Sequence, residues 1–384
     1  MYITSYQQGD GGVGTTYTAL ISPNTMDDVR VTVADDTGEQ IIWAITNVPC
    51  EEGKSYTVDL VVGKHQAIVG GVSVNDWNDG GVLEDAPLDE WVGYLIKDDT
   101  YHIYNEKGLY NLAKEVNSGN QQARNVVLED DIDISCYDKW TPIGTNENSH
   151  VFAGTFDGKG HTISGLSIDT IAGMYANIGL FGRVVGTITN VKVSGSITIR
   201  SAQHAYIGGI IGYTAGNSTV TACHSNVTIT LYGDKVKECG VGGITGILLT
   251  TRNDSKIAGC YNTGKIECLN EQENDQNNIS GIIGETRTGG FGGYAYITGC
   301  YNRADIIHSR GNAVTVNSYG DAPKIIDCFF EKVSTDIAST YGAGDVADTD
   351  WETAMKTMNS ALRSYGYSYS LGDTPEVPLV ITGR

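Results

Sequence analysis

Up to about residue 82 the chain alternates apolar and polar positions in short runs. Tyr17–Ser22, Val29–Ala34, Gln40–Thr46, Ser55–Val62 and Ala67–Val74 have the period of two that marks strands. Pro23-Asn24, Asp35-Asp36, Pro49 and Glu52-Gly53 supply the breaks. Strands of this length and spacing predict an antiparallel β-sandwich over residues 1–82. Residues 83–125 read as a linker followed by a capping helix.

From 126 to 345 the pattern repeats. The segments NIGLFG, IGGIIG, VGGITG and ISGIIG close on Gly182, Gly212, Gly246 and Gly284, at steps of 30, 34 and 38 residues. A period in this range marks a solenoid or array. A second anchor is a pair of apolar residues three apart: Ile163/Leu166, Ile188/Val191, Val220/Cys223, Ile257/Cys260, Ile297/Cys300 and Ile325/Cys328. The segments are too rich in Ile, Val, Thr and Gly for helix. In a flat strand, residues three apart point to opposite faces. Both members face one core only if the chain turns a corner between them. The residues just before the second members are Gly165, Asn190, Ala222, Gly259, Gly299 and Asp327. All but Ala222 take left-handed or turn conformations readily. The expected structure is a β-solenoid of short parallel strands, one circuit per repeat.

Such a stack exposes strand edges at both ends. Two amphipathic segments bracket it. One carries Leu109, Leu112, Ala113 and Val116 on one face, with Gly119 past its end. The other carries Trp351, Met355, Met358 and Leu362, with Asp350 as N-cap. Both are assigned as lids, the second within a C-terminal cap over 346–384; the competing reading makes them walls of a groove.

Composition supports an all-β chain, with 49 Gly, 7 Pro and 22 Tyr and no collagen period. The net charge of -21 and the lack of a Lys/Arg cluster exclude nucleic acid and oppose docking on anionic lipid. No window of 18 apolar residues predicts a membrane span. The start has neither a basic nor an apolar signal region, so the protein is cytosolic or its export signal lies outside this sequence. The 8 cysteines form no C-x-x-C pair and the 7 histidines no metal-binding spacing, and no nucleophile elbow or phosphate loop occurs. No cofactor is expected.

Stacked circuits bring Cys223, Cys260, Cys300 and Cys328 into one column, near enough for disulfides. Leu166 and Val191 hold the same position, which points to inward packing. Cys50, Cys136, Cys239 and Cys268 lie outside it. The outward positions of successive repeats are Thr187/Thr189, Thr219/Thr221, Lys256/Ala258, Tyr296/Thr298 and Lys324/Ile326, with no carboxylate column. Glu129, Asp130, Asp131 and Asp133 are a weak Ca²⁺ candidate or a solvated turn. Asp157 and His161 are an acid/base pair or parts of a glycine-rich turn. Four inserts remain: Leu231–Gly240, Ile247–Lys256, Leu269–Asn278 and Glu285–Tyr296. They are a recognition surface or tolerated length variation. The residues nominated for binding are Arg287, Phe291, Tyr294, Tyr296 and Tyr232, whose aromatics suit stacking on a sugar or gripping a peptide.

The segment YTVDLVVGKHQAIVGGVSVNDWNDGG, with Gly53-Lys54-Ser55-Tyr56 before it and Trp77–Gly80 at its end, resembles the closing strands of fimbrillin-type pilin domains. The further N-terminal domain usual in that family has no counterpart in this sequence. The glycine-bracketed repeats, with the lead-in from Trp140 to Ile168, resemble GLUG-motif arrays of bacterial surface proteins. That second resemblance implies a right-handed parallel β-helix-like fold. Together they imply a non-catalytic extracellular adhesion protein, associated with the cell surface or outer membrane. It would serve as an accessory or tip component of fimbriae and bind a glycan, a host or bacterial surface protein, or pilin subunits. The alternatives are a β-helix carbohydrate-active enzyme or a structural spacer.

Overall fold

The computed structural model describes six strands between residues 6 and 76. It then describes residues 93–383 except 121–122, 146–149, 233, 270–275, 290–291, 309–310, 332–336, 340–342, 346–349 and 375–376. The chain divides into two compact units, Met1–Val92 and Gly93–Arg384, a boundary inside the 83–125 stretch read as linker and capping helix. The fold is all-β, with two α-helices among the described residues.

In the first unit, Met26–Ala34 pairs antiparallel with Gln40–Val48, and Lys54–Val62 with Ala67–Asp76. Tyr6–Gln8 pairs antiparallel with Thr16–Thr18. Four of the five expected strands are therefore present as two hairpins. Of the fifth, residues 19–22 lie outside the described residues, as do Trp77–Gly80 and Cys50.

In the second unit the chain visits four sheets in turn and then begins again. One circuit runs through Thr187–Thr189 in sheet I, Lys192–Gln203 in sheet II, Tyr206–Gly208 in sheet III and Ile211–Ala215 in sheet IV. The next re-enters sheet I at Thr219–Thr221, and every strand lies parallel to its counterpart one circuit away. In sheet I the buried column is Val126, Phe156, Ile188, Val220, Ile257 and Ile297, ending on the partly buried Ile325.

The expected corners are present. Asn190, Ala222, Gly259, Gly299 and Asp327 all have φ between 49° and 62°. Ala222 adopts the conformation despite its β-carbon. Each corner amide still serves the ladder: Gly259 N–H donates to Thr298 O at 2.9 Å and Ala222 N–H to Ala258 O at 3.0 Å. After the corner, side chains alternate again. Cys223, Cys260, Cys300 and Cys328 point inward and are buried, as free thiols.

One rung was misplaced. Ile163 pairs with Ile132 and Val193 in sheet II, and Leu166 lies opposite Gly195. Phe156 holds the position expected of Ile163. The corner after Phe156 is longer than the others, with Lys159 and Gly160 both left-handed. Gly165, at φ 76°, instead forms a bulge within Thr162–Ile171, which mimics the spacing of a corner.

Two features escaped the hydrophobic pattern. The first is an internal asparagine ladder. Asn262 Nδ2 donates to Asn302 Oδ1 at 3.1 Å and to Gly264 O at 3.1 Å, while Asn262 Oδ1 accepts from Gly264 N–H. Both residues are fully buried, and the amides satisfy one another and the adjoining turn. The second is an external aromatic ladder: His224 stacks on Tyr261 at 4.1 Å and Tyr261 on Tyr301 at 4.7 Å. The repeated Cys-Tyr-Asn is thus inward thiol, outward ring, inward amide.

Helix α1, Glu106–Asn117, is capped by Asn105 and buries Leu109, Leu112, Ala113 and Val116 in the main core. Its Asn117 side chain donates to Pro142 O and accepts from Gly144 N–H, tying it to the first circuits. Helix α2, Trp351–Leu362, is capped by Asp350 and precedes a hairpin of Tyr367–Thr374 and Val377–Gly383. This module was expected over the end of the stack. It lies instead along the side, where Met358, Leu362, Tyr369 and Ile381 pack on Ala222, Ala258, Tyr261 and Tyr301. Tyr367 Oη lies 2.6 Å from Thr189 Oγ1, and Tyr369 Oη donates to Gly299 O at 3.0 Å. The module thus bridges several circuits at their corners.

The stretches 247–256 and 285–296 are strand at both ends rather than inserts throughout. Thr245–Thr250 and Ile283–Thr288 belong to sheet IV, and Ser255–Ala258 and Ala295–Thr298 to sheet I. No helix of the described residues is long and apolar enough to cross a membrane.

The closing glycines lie where sheets III and IV approach backbone to backbone. A Cβ on Gly246 would fall 2.4 Å from the Ile207 amide nitrogen, and one on Gly284 2.2 Å from that of Val241. Gly160 has open space around its missing side chain. Gly246→Ala should therefore lower unfolding stability by about 3 kcal/mol or more, through a backbone clash. Gly160→Ala should cost only about 1 kcal/mol, the conformational term at positive φ. Urea unfolding of the two variants checks the contrast.

Candidate recognition surface

The outward column of sheet I is Thr155, Thr187, Thr219, Lys256, Tyr296 and Lys324, in register. At its far end three side chains converge. Tyr294 and Tyr296, both half-buried, meet edge to face with ring centroids 6.5 Å apart. The Lys324 ammonium sits 4.0 Å from the Tyr294 centroid and 4.9 Å from that of Tyr296, and donates to Tyr296 Oη at 3.1 Å. This hydrogen bond, together with the electron-rich rings, raises the Lys324 pKa.

The backbone at Gly293 and Tyr294 is held in place. Tyr294 N–H donates to Asp254 Oδ1 at 2.9 Å, and Thr250 Oγ1 to Gly293 O at 3.2 Å. A Cβ on Gly293 would lie 2.4 Å from Asn253 O, so this glycine allows a close backbone approach.

The other nominated residues lie elsewhere. Arg287 is in sheet IV, paired with the buried Glu285 at 2.7 Å and close to the Tyr206 ring. Tyr232 ends a strand of sheet II, where the Arg200 guanidinium lies over it while also forking onto Asp169. Phe291 falls outside the described residues. Lys324 and Asp254 were not nominated; the register of Lys324 with Tyr296 was the available signal.

The acidic run is dispersed among separate partners. Glu129 Oε1 accepts from Lys159 Nζ at 2.6 Å and lies 2.7 Å from His102 Nδ1. Burial acts to raise its carboxyl, but these two groups outweigh that and hold it below its ordinary value. Asp131 accepts from Thr162 N–H and lies near His161, contacts that lower its pKa. Asp133 accepts from Ser135 N–H, and Asp130 from Asp131 N–H. Among the described residues no group of three or more His, Cys, Asp or Glu side chains is placed to hold a metal ion. Asp157 accepts from Lys159 N–H within its own turn, and His161 turns to Asp131 instead. Burial pushes the Cys260 and Cys328 thiols well up, away from the reactive thiolate.

No family model, curated protein or solved structure matches the chain.

His224 is the titratable member of the aromatic ladder. Its Nε2 lies 2.8 Å from Thr263 Oγ1, and burial, reinforced by the Lys192 ammonium, pushes its pKa from 6.5 down to about 3. Between those values the unfolded chain binds a proton that the folded protein refuses. Folding stability from this site is therefore full above pH 6.5 and lost as the pH falls towards 3. His224→Tyr extends the tyrosine stack and removes this dependence. Its stability relative to wild type should rise by about 3 kcal/mol between neutral pH and about pH 4. Denaturant unfolding at stepped pH tests this; parallel pH profiles would contradict it.

Proposed function

We propose that the protein is a non-catalytic recognition scaffold of a bacterial cell surface. The first unit serves as a fimbrillin-like sandwich joining it to a fimbria or the outer surface. The second is a right-handed β-solenoid of the GLUG type that presents the binding surface. The ligand is a glycan or an exposed surface protein. The observation that carries this reading is the Tyr294–Tyr296–Lys324 cluster. Two partly exposed rings and an ammonium, fixed on stacked strands and a pinned backbone, offer a stacking surface and a hydrogen-bond donor with little ordering left to lose. The carboxylates at the opposite, first end of the stack support the non-catalytic part. Glu129, Asp131 and Asp133 are held low in pKa, whereas a general acid at neutral pH needs a raised one.

The full chain should be screened against glycan arrays and purified surface and matrix proteins. For ligands captured, Tyr294→Ala/Tyr296→Ala should weaken binding about tenfold or more, and Tyr232→Ala should leave it unchanged. Capture of no ligand by the wild-type chain, or full binding by the double variant, would sink the proposal.

A further inference from the structure

A cleft of about 440 Å³ opens between the edge of the C-terminal hairpin and the circuit corners beside it. Its lining combines apolar groups, Ala222, Val380 and Ile381, with polar ones, Asp157, Asn190, Lys192 and His224.

Lys192 is half-buried there and makes no ion pair among the described residues, although the chain carries a net charge of -21. Lys159 at the rim is already paired with Glu129. The other polar groups leave acceptors over. Asp157 uses Oδ1 on Lys159 N–H, Asn190 uses its Nδ2 on Tyr367 Oη, and His224 uses Nε2 on Thr263. Thr263 Oγ1 donates to Ser225 O, which leaves His224 Nε2 to donate and Nδ1 to accept. Asp157 Oδ2, Asn190 Oδ1 and His224 Nδ1 take no further hydrogen bond among the described residues and can accept hydroxyl protons. The cleft therefore offers one cation, three acceptors and apolar groups, in a volume at the lower end of small-ligand sites. A molecule matching all three has a carboxylate, several hydroxyl donors and an apolar ring face.

We propose that this cleft binds a uronic acid residue, with its carboxylate on Lys192, its hydroxyls on the three acceptors and its ring face against Ile381 and Val380. The cleft does not include Tyr294 or Tyr296, so its occupancy and that of the tyrosine cluster succeed or fail separately.

Calorimetric titration of the full chain with glucuronate and galacturonate, against glucose and galactose, tests this. The uronates should bind about tenfold more tightly than their neutral counterparts at low salt, and added salt should erode the difference. Lys192→Gln should abolish the preference and Lys192→Arg should keep it, with unchanged melting temperatures showing that both variants fold. Equal binding of acidic and neutral sugars, no uronate binding, or a preference that survives Lys192→Gln would each overturn the assignment.

Discussion

At the corner between Ile257 and Cys260 the chain turns through Gly259 at φ 62°, and the Gly259 N–H still reaches Thr298 O in the next circuit. This pairing of a left-handed residue with an unbroken interstrand ladder recurs at Asn190, Ala222 and Gly299. A left-handed residue ordinarily ends a strand. Here it redirects one while the corner N–H stays bonded to the neighbouring circuit. The apolar residue on each side of the corner then faces the same interior. The next residue faces out, and the one after it faces in.

The rest of the second unit follows from that alternation. Stacking places like on like, so whatever one circuit puts at a position must suit its neighbours. Inward, this gives thiols that pack as small apolar groups and asparagines that satisfy each other's amides. Outward, it gives the stacked His224, Tyr261 and Tyr301 rings, too apolar to leave in water. The C-terminal helix and hairpin bury that ladder. Tyr369 meets Tyr261 and Tyr301 edge-on, and Tyr301 Oη donates to Leu379 O. Gly259 and Gly299 have no side chain to obstruct this contact: added β-carbons would fall 2.4 Å from Ile381 and 2.8 Å from Leu362.

Much of this was legible because a stack turns sequence periodicity into spatial adjacency. The corners, the cysteine column and the closing glycines follow from single residues compared across repeats, and the Asp350 cap from local sequence. The first rung misled because Gly165 bulges a strand with the same spacing that Gly259 uses to turn a corner. Asn262 and Asn302 were given no role, since each finds its partner 40 positions away. The amphipathic face of α2 showed that it packs, but not that its counterpart is the side of the stack. The tyrosine–lysine cluster was half visible: Tyr294 and Tyr296 stood out as aromatics, while Lys324 is joined to them only by register. The cleft was invisible, because the hairpin residues 380–383 that complete it lie more than a hundred residues beyond the corners it opens on.

The account rests on the corners turning the second member of each pair inward, which thiol accessibility tests directly. The native protein is treated with a maleimide and the labelled cysteines are mapped by mass spectrometry, then the same is done after unfolding in denaturant. The account predicts that Cys136, which is exposed, labels in the native protein, and that Cys223, Cys260, Cys300 and Cys328 label only once it is unfolded. Labelling of the four column thiols at the rate of Cys136, or their recovery as disulfides, would contradict it.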